Sequence, residues 1–384
     1  MRKCIVCGNE LWEKPLIKFS NMPFSAQIIP DKADKELDCE VGIDLNLCQC
    51  TGCGLVQFDC DPVMYYKDVI RSGGFSSTMV NLRRSQYKYL IDKYHLEGKK
   101  FIEVGCGQGE FLSVLKEFPV KGYGVEHKKD LVESAKRLGL CVEEGFVGSE
   151  CDILAAGPFD VFLSFNFLEH QPDPNGMLRG IYNNLNEDAI GMITVPSLEY
   201  ILEYNGYYEF IHDHLAYYTF DTLRFALEKN GFEVLEQEMV NRDTISLIVR
   251  KRKRTDVDKI AESYHLISDQ INDFIDDLNN QGKRVAIWGA SHQGFTLAST
   301  ANLSGKIEYI IDSAPFKQGR CSPAAHIPII SPKEAIENPT DAIIIMAPGY
   351  TDEIASLIKK SFDGNTIIAV MKTKELQMYE DLDG

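Results

Sequence analysis

The chain has 384 residues, 44% of them hydrophobic and 25% charged, with a formal net charge of -17. At about 100–200 residues per domain this allows two or three domains, each with its own core, in an ordinary globular composition. The charge argues against a polyanionic partner, no apolar run approaches the ~20 residues of a bilayer span, and the N-terminal "MRKCIVCGNELWEK" lacks an apolar signal region; a cytoplasmic protein that binds neither nucleic acid nor membrane is expected.

The first segment, 1–75, holds seven of the eleven cysteines. "CIVCG" (Cys4, Cys7) and "CTGCG" (Cys50, Cys53) are C-x-x-C pairs followed by glycine. Two such turns can present four thiolates tetrahedrally to one Zn²⁺, with Gly8 and Gly54 allowing the tight turn behind them. Cys48 competes with Cys50 as a ligand, and the spacing favours Cys50. A closed four-thiolate site has no open position, so this metal is expected to be structural. The insert between the pairs is expected to form strands, at "AQIIP" and "VGIDLNLCQC".

The second segment, 76–255, opens with a helix ("STMVNLRRSQYKYLIDKYHL"). Strand and helix signals then alternate from "KFIEV" to "AIGMITVPS", which predicts a parallel sheet wound on both faces. "TFDTLRFALEKNG" reads as a helix ending at Gly231, and "FEVLEQEMV" and "TISLIVRKR" as two strands joined at "NRD", giving an antiparallel edge. The basic run "RKRKR" at 250–254 reads as a solvated strand end and linker. The third segment, 256–384, begins with an amphipathic helix, Ile260, Ile267, Ile271, Phe274 and Leu278 sharing one face. A second, smaller Rossmann-like α/β unit follows, from "KRVAIWGASHQGF" to "DAIIIMAPG".

"FIEVGCGQGEF" places Gly105, Gly107 and Gly109 after a strand and at the opening of a helix, where backbone N–H groups can meet a ligand. Residue 110 is Glu, so the pattern is not the dinucleotide fingerprint G-x-G-x-x-G. An acid at Glu103, before the first glycine, suits an ammonium and repels a pyrophosphate. Glu126, followed by His127, ends the next strand, where a carboxylate can accept from both ribose hydroxyls. Together these suit S-adenosylmethionine (SAM), and the segment resembles class I SAM-dependent methyltransferases. Asn166, Glu169 and His170 follow the fourth strand of the sheet, where ligands gather; Asn166 is expected near the cofactor, and Glu169 and His170 on the substrate side. "FIHDHLAYYTF" follows the fifth strand and offers His212, Asp213 and His214. An acid beside an imidazole makes a workable general base, Asp213 with His214, and the competing reading is a helix cap.

The order of a four-Cys module, a SAM domain and a half-Rossmann domain with "WGASHQG" and "KQGRCSPAAHIPI" resembles the sugar C-methyltransferases of deoxysugar biosynthesis over nearly the whole chain. That resemblance implies methylation of C3 of a nucleotide-linked 4-keto-deoxysugar, with SAM as donor and the nucleotide end meeting the third segment. It matches His170, Asp213 and His214 to the family's active-site histidine and acid–histidine pair. Two departures stand out. Ile211 occupies a position where relatives carry Tyr, and "DVIRSGGFSS" replaces tyrosines before the first helix. The base then falls to Tyr207, Tyr208, Tyr217 or one of His170, His212 and His214. In the third segment Gly289, Ser291 and Asp312 outline a loop for the substrate nucleotide, with Lys317 and Arg320 as phosphate contacts. Ser291 in place of glycine weakens the alternative, an NAD(P) site. A sugar O-methyltransferase of capsule or glycolipid assembly is the other alternative. The expected assembly is a monomer or weak homodimer.

Overall fold

Short β-branched runs separated by glycine- and asparagine-containing turns make the strands, and their order of pairing creates the site. The structure, a computed structural model, describes residues 3–29, 42–67, 76–362 and 364–379. The chain forms two compact units, Met1–Arg254 and Thr255–Gly384. The cysteine-rich segment and the methyltransferase-like segment therefore share one unit.

In the first unit β1 (Ile17–Met22), β2 (Ile43–Gln49) and β3 (Val56–Phe58) form an antiparallel meander. No strand forms over residues 26–29 of "AQIIP", where Ile28 and Ile29 are 60% and 86% exposed and so lack the buried face that would fix a register. Pro30 and Val41, also in the expected strands, lie outside the described residues. Then follow α1 (Ser77–Tyr94), β4 (Lys100–Val104), α2 (Glu110–Leu115), β5 (Lys121–Glu126), α3 (Lys129–Arg137), β6 (Cys141–Glu144) and β7 (Phe159–Phe165). The unit continues with α4 (Pro174–Asn183), β8 (Leu185–Pro196), α5 (Leu198–Tyr204), β9 (Ala216–Tyr217), α6 (Phe220–Lys229), β10 (Phe232–Val240) and β11 (Thr244–Lys251).

The main sheet has the order β10-β11-β8-β7-β4-β5-β6. Strands β8 to β6 in that order are parallel, while β11 runs antiparallel to both of its neighbours. The antiparallel strand thus lies one in from the edge, because the β10–β11 hairpin folds back through Asn241 and Arg242, both at positive φ. Alternation along the strands divides the core: Ile102 and Phe162 enter the cluster on one face, Phe101, Val161 and Leu163 that on the other. The direction of crossover reverses between β4 and β7, so the loops after these two strands open onto a common crevice. The cysteine-rich meander joins this body through β3, which pairs with β9 (Val56↔Tyr217, Gln57↔Ala216).

The second unit starts with α7 (Asp258–Asn280), β12 (Val285–Trp288) and α8 (His292–Thr300). It continues with β13 (Ile310–Ile311), β14 (Arg320–Cys321), β15 (Pro328–Ile330), α9 (Pro332–Glu337), β16 (Ala342–Ile345), α10 (Thr351–Ser361), β17 (Ile367–Met371) and β18 (Leu376–Met378). Its sheet, β14-β15-β13-β12-β16-β17-β18, is parallel at the centre and antiparallel at both edges. On α7, Ile271 and Leu278 are buried and Ile267 and Phe274 pack against the same core, whereas Ile260 is 69% exposed. The helix's apolar stripe therefore runs a turn further than the core of its own unit.

Candidate active site

Strand β4 delivers the chain into the glycine loop. Gly105, Gly107 and Gly109 have φ of 71°, 58° and 84°, which L side chains rarely adopt. A Cβ on Gly109 would also stand 2.2 Å from Leu140 Cδ1. Glu126, at the end of β5, accepts from the N–H groups of Gly107 (3.0 Å) and Lys128 (2.9 Å). These bonds fix the carboxylate at the mouth of the loop. Glu103 is fully buried on β4. The rings of His127, Phe146 and Phe167 meet edge to face, with Lys67 Nζ 4.9 Å above Phe146. This cluster lies against Gly105 and Glu126 and presents aromatic surface beside the loop. Asn166 sits at a positive φ of 49° and its Oδ1 accepts from Thr194 Oγ1, which turns the chain sharply off β7.

A cavity of about 470 Å³ joins this loop to the histidines; Gly105, Glu126, Asn166, Glu169, His170 and His214 all line it. The turn after β7 and the segment before β9 are stitched together, Leu215 N–H donating to the Glu169 carbonyl and His170 Nδ1 lying 2.7 Å from the Asp213 carbonyl. A carbonyl only accepts, so His170 Nδ1 carries the hydrogen and Nε2 carries the lone pair. The His170 and His214 rings lie edge to face, 4.7 Å apart. Burial pushes the His170 imidazole down to about 4 and holds His214 well below the usual range, so both are neutral at pH 7.

Asp213 differs from the expected acid of a His214 pair. Its carboxylate accepts from Ala26 N–H (2.9 Å) and Tyr65 Oη (2.7 Å), clamping the cysteine-rich segment, and it is the backbone carbonyl that orients a histidine. His212 is engaged in the same clamp, its ring nitrogens facing the carbonyls of Phe24 and Asp61. Among the phenols, Tyr207 and Tyr208 are exposed, and Tyr217 Oη is tied to the backbone N–H and carbonyl of Ile211. The "DVIRSGGFSS" stretch lies mostly outside the described residues.

Sequence reasoning missed Arg83. It is 1% exposed, its guanidinium stacked 3.8 Å over Phe165 and facing the cavity. The signal was there: Arg83 shares the buried stripe of α1 with Gln86, Tyr87 and Leu90, at helical spacing. Phe146 and Lys67 were missed because nothing local in "EEGFVG" or "MYYKDV" marks a ring cluster.

The four cysteines converge. Cys4 Sγ lies 3.6 Å from Cys53 Sγ and Cys7 Sγ 3.3 Å from Cys50 Sγ. All four sulfurs fall within 4.8 Å of one another. A tetrahedral Zn²⁺ with bonds of about 2.3 Å needs sulfurs nearly 4 Å apart, so the set fits that ion. Cys48 stands apart on β2.

In the second unit Asp312 accepts from Ala290 N–H (2.9 Å), Ala314 N–H (2.8 Å) and Lys317 Nζ (3.0 Å). Ser291 caps α8 by accepting from Gly294 N–H. Gly289 adopts a φ of 124°, and Arg320 is exposed on the edge strand β14. A separate cavity of about 540 Å³ opens between α7, α8 and the ends of β16 and β17, lined by Tyr264, His292, Thr296 and Met371 among others. No helix among the described residues is long and apolar enough to cross a membrane.

The chain matches the methyltransferase domain family over residues 78–237 and the C-methyltransferase C-terminal domain family over 251–371. It is 21% identical over 382 residues to the C-methyltransferase NovU of Streptomyces niveus, spanning 92% of this chain and 91% of that one. A ubiquinone biosynthesis O-methyltransferase of Glaesserella parasuis is 27% identical over 117 residues, 28% of this chain and 49% of that one. The magnesium protoporphyrin IX methyltransferase of Synechocystis PCC 6803, solved with bound SAH, is 14% identical, with a TM-score of 0.38 over 48% of this chain and 89% of its own.

Proposed function

The chain belongs to the SAM-dependent C-methyltransferases, and on that premise we propose that its acceptor is a nucleotide-linked 4-keto-deoxysugar, methylated at C3 beside the ketone. The observation that carries this reading is the His170–His214 pair in the cavity of the glycine loop. A hydrogen alpha to a ketone is acidic enough for a positioned imidazole, whereas an alcohol offers a ready oxygen nucleophile and needs less of a base.

SAM, when bound, supplies an electrophilic methyl group. Glu126 holds the ribose hydroxyls, and Glu103 and the loop of Gly105, Gly107 and Gly109 receive the amino-acid end. Arg83 offers that end's carboxylate a fixed guanidinium. His127, Phe146 and Asn166 complete the adenosine side. His170 Nε2 takes the C3 proton, and the C–H electron pair passes into the enolate. When the new C–C bond has formed and the ketone is restored, the imidazolium gives its proton to solvent. His214 packs on that ring and keeps water from it, while Asp213 and His212 hold the loop in place. The nucleotide end is assigned to the second unit, where Gly289, Ser291 and Asp312 frame the loop and Lys317 and Arg320 meet phosphate. Cys4, Cys7, Cys50 and Cys53 are assigned a structural Zn²⁺.

The partial likeness to an O-methyltransferase favours one rival, methylation of a sugar hydroxyl. Incubation with a nucleoside diphosphate 4-keto-6-deoxyhexose in D₂O separates the two. The C-methylation reading expects deuterium at C3 without SAM and a C-methyl product with it. An O-methyl product with no exchange would sink it.

A further inference from the structure

One buried group has no role so far. Glu169 is 1% exposed, yet it lines the cavity. Its Oε2 has no hydrogen-bond partner, and its Oε1 lies 3.9 Å from His170 Nε2, beyond hydrogen-bond reach. Its backbone carbonyl is pinned by Leu215 N–H, so the side chain is held where it is. The titratable groups around it are His170, His214, Tyr217 on β9 and Tyr218 just after it, while Lys67, Arg83, Glu126 and Asp243 line the same cavity. Neither imidazole is charged at pH 7, and a buried carboxylate whose one donor is its own backbone N–H is costly. The inexpensive state of such a carboxyl is the protonated one.

We propose that Glu169 is a catalytic acid: it keeps its proton in the resting protein and donates a hydrogen bond to the acceptor's ketone oxygen as negative charge builds there. The proposal rests on the reading that the acceptor is a ketone. Enolisation needs a base at the α-carbon and a donor at the oxygen, and Glu169 stands beside His170 in the chain, placing the two on one short turn. The proton stays on Glu169 throughout: the oxygen gains charge and a stronger hydrogen bond while the imidazole gains the α-proton; when the C–C bond is made the charge leaves the oxygen, and the imidazolium passes its proton to solvent. Burial raises the Glu169 carboxyl to about 8, in keeping with a neutral donor beside a neutral base.

The resting proton is testable without any acceptor. Infrared spectra of the full chain at pH 7 should show a protonated-carboxyl C=O band that Glu169→Gln lacks and that titrates away with a midpoint near 8. A wild-type spectrum without that band overturns the proposal. So does a metal ion bound beyond the cysteine site and lost in Glu169→Gln, because a metal-bound carboxylate carries no proton. If Glu169→Gln fails to fold, ¹³C-labelled glutamate carboxyls in the wild-type chain read the same proton.

The catalytic half is read by C3 deuterium exchange on the 4-keto sugar nucleotide. Glu169→Ala should slow it by about 10²–10³-fold. Glu169→Gln, which keeps an N–H donor, should lose less and should lose the decline of rate above pH 8. Equal exchange in Glu169→Ala and wild type, or an unchanged alkaline decline in Glu169→Gln, overturns it. A wild-type band at pH 7 with no exchange of any kind would count against the ketone acceptor and not against the buried proton.

Discussion

The two units carry the same local grammar, a glycine loop after a strand with an acid at the end of the next one, and put it to different use. In the first unit Glu126 holds two backbone N–H groups that ligand hydroxyls can replace, at the edge of a cavity containing two imidazoles. In the second Asp312 holds two N–H groups and the Lys317 ammonium, which neutralises its charge, and neither residue lines the unit's 540 Å³ cavity. A glycine loop thus tells where a ligand could approach. The partners of the acid tell which polar group suits it, hydroxyls at Glu126 and an anion beside the Lys317 ammonium at Asp312.

That contrast can be broken by experiment. The largest effect is expected for His170→Ala, which should lower C3 exchange by about 10²–10⁴-fold with SAM affinity intact, while His292→Ala in the second unit leaves exchange unchanged. Equal losses in both would place the chemistry elsewhere. Next, Glu126→Ala should weaken SAM binding by roughly 100-fold, the low end of the worth of two hydrogen bonds to a charged group, by isothermal titration. Asp312→Ala should leave SAM affinity as it was, and NAD(H) should show no saturable binding to the full chain; saturable NAD(H) binding would restore the dinucleotide reading of the second loop.

A third, smaller signature is the pH dependence of stability. Glu169, with its pKa raised to about 8, keeps its proton in the folded state between about pH 4.3, its unfolded value, and 8, so folding loses stability as pH rises through that window. His170, lowered to about 4, is neutral when folded but protonated when unfolded below about pH 6.5, so its contribution is lost as pH falls from 6.5 to 4. His214 acts in the same sense. Thermal midpoints should therefore peak near pH 6–7, and Glu169→Gln should remove the alkaline slope. The smallest effect is Lys317→Ala, which breaks a partly buried pair but leaves Asp312 its two backbone N–H donors, and should cost about 1 kcal/mol, read by denaturant melts.

Much of this was legible in the sequence, for reasons that are local. The two C-x-x-C-G pairs, the glycine loop and Glu126 are fixed by spacing and by the turn each glycine permits, so their convergence could be expected. The alternation of strands and helices gave the doubly wound sheet, and its hairpin close, because each apolar run was bounded by turn residues. What sequence could not give was partnership at long range. Asp213 looked like the acid for its neighbour His214, yet its carboxylate reaches Ala26 and Tyr65, 187 and 148 positions away. Arg83 drew no notice in the sequence because its aromatic partners, Phe111 and Phe165, come from other elements. Ile260 fitted its stripe and stayed exposed, since periodicity reports a helix's face and not how far the core extends.

The pairing of β3 with β9 has a consequence for how the chain is made. The cysteine-rich meander leaves the ribosome before the main sheet, but its fourth strand comes only after the glycine loop, the crossover helices and β8 have all been synthesised. Until then Val56 and Gln57 present an unpaired edge, and Ala26 and Tyr65 have no carboxylate to hold. The same late stretch, residues 213–217, completes the oldest part of the chain and delivers His214 to the cavity. A nascent chain that has closed its first sheet has, by that act, also set the loop that carries His214.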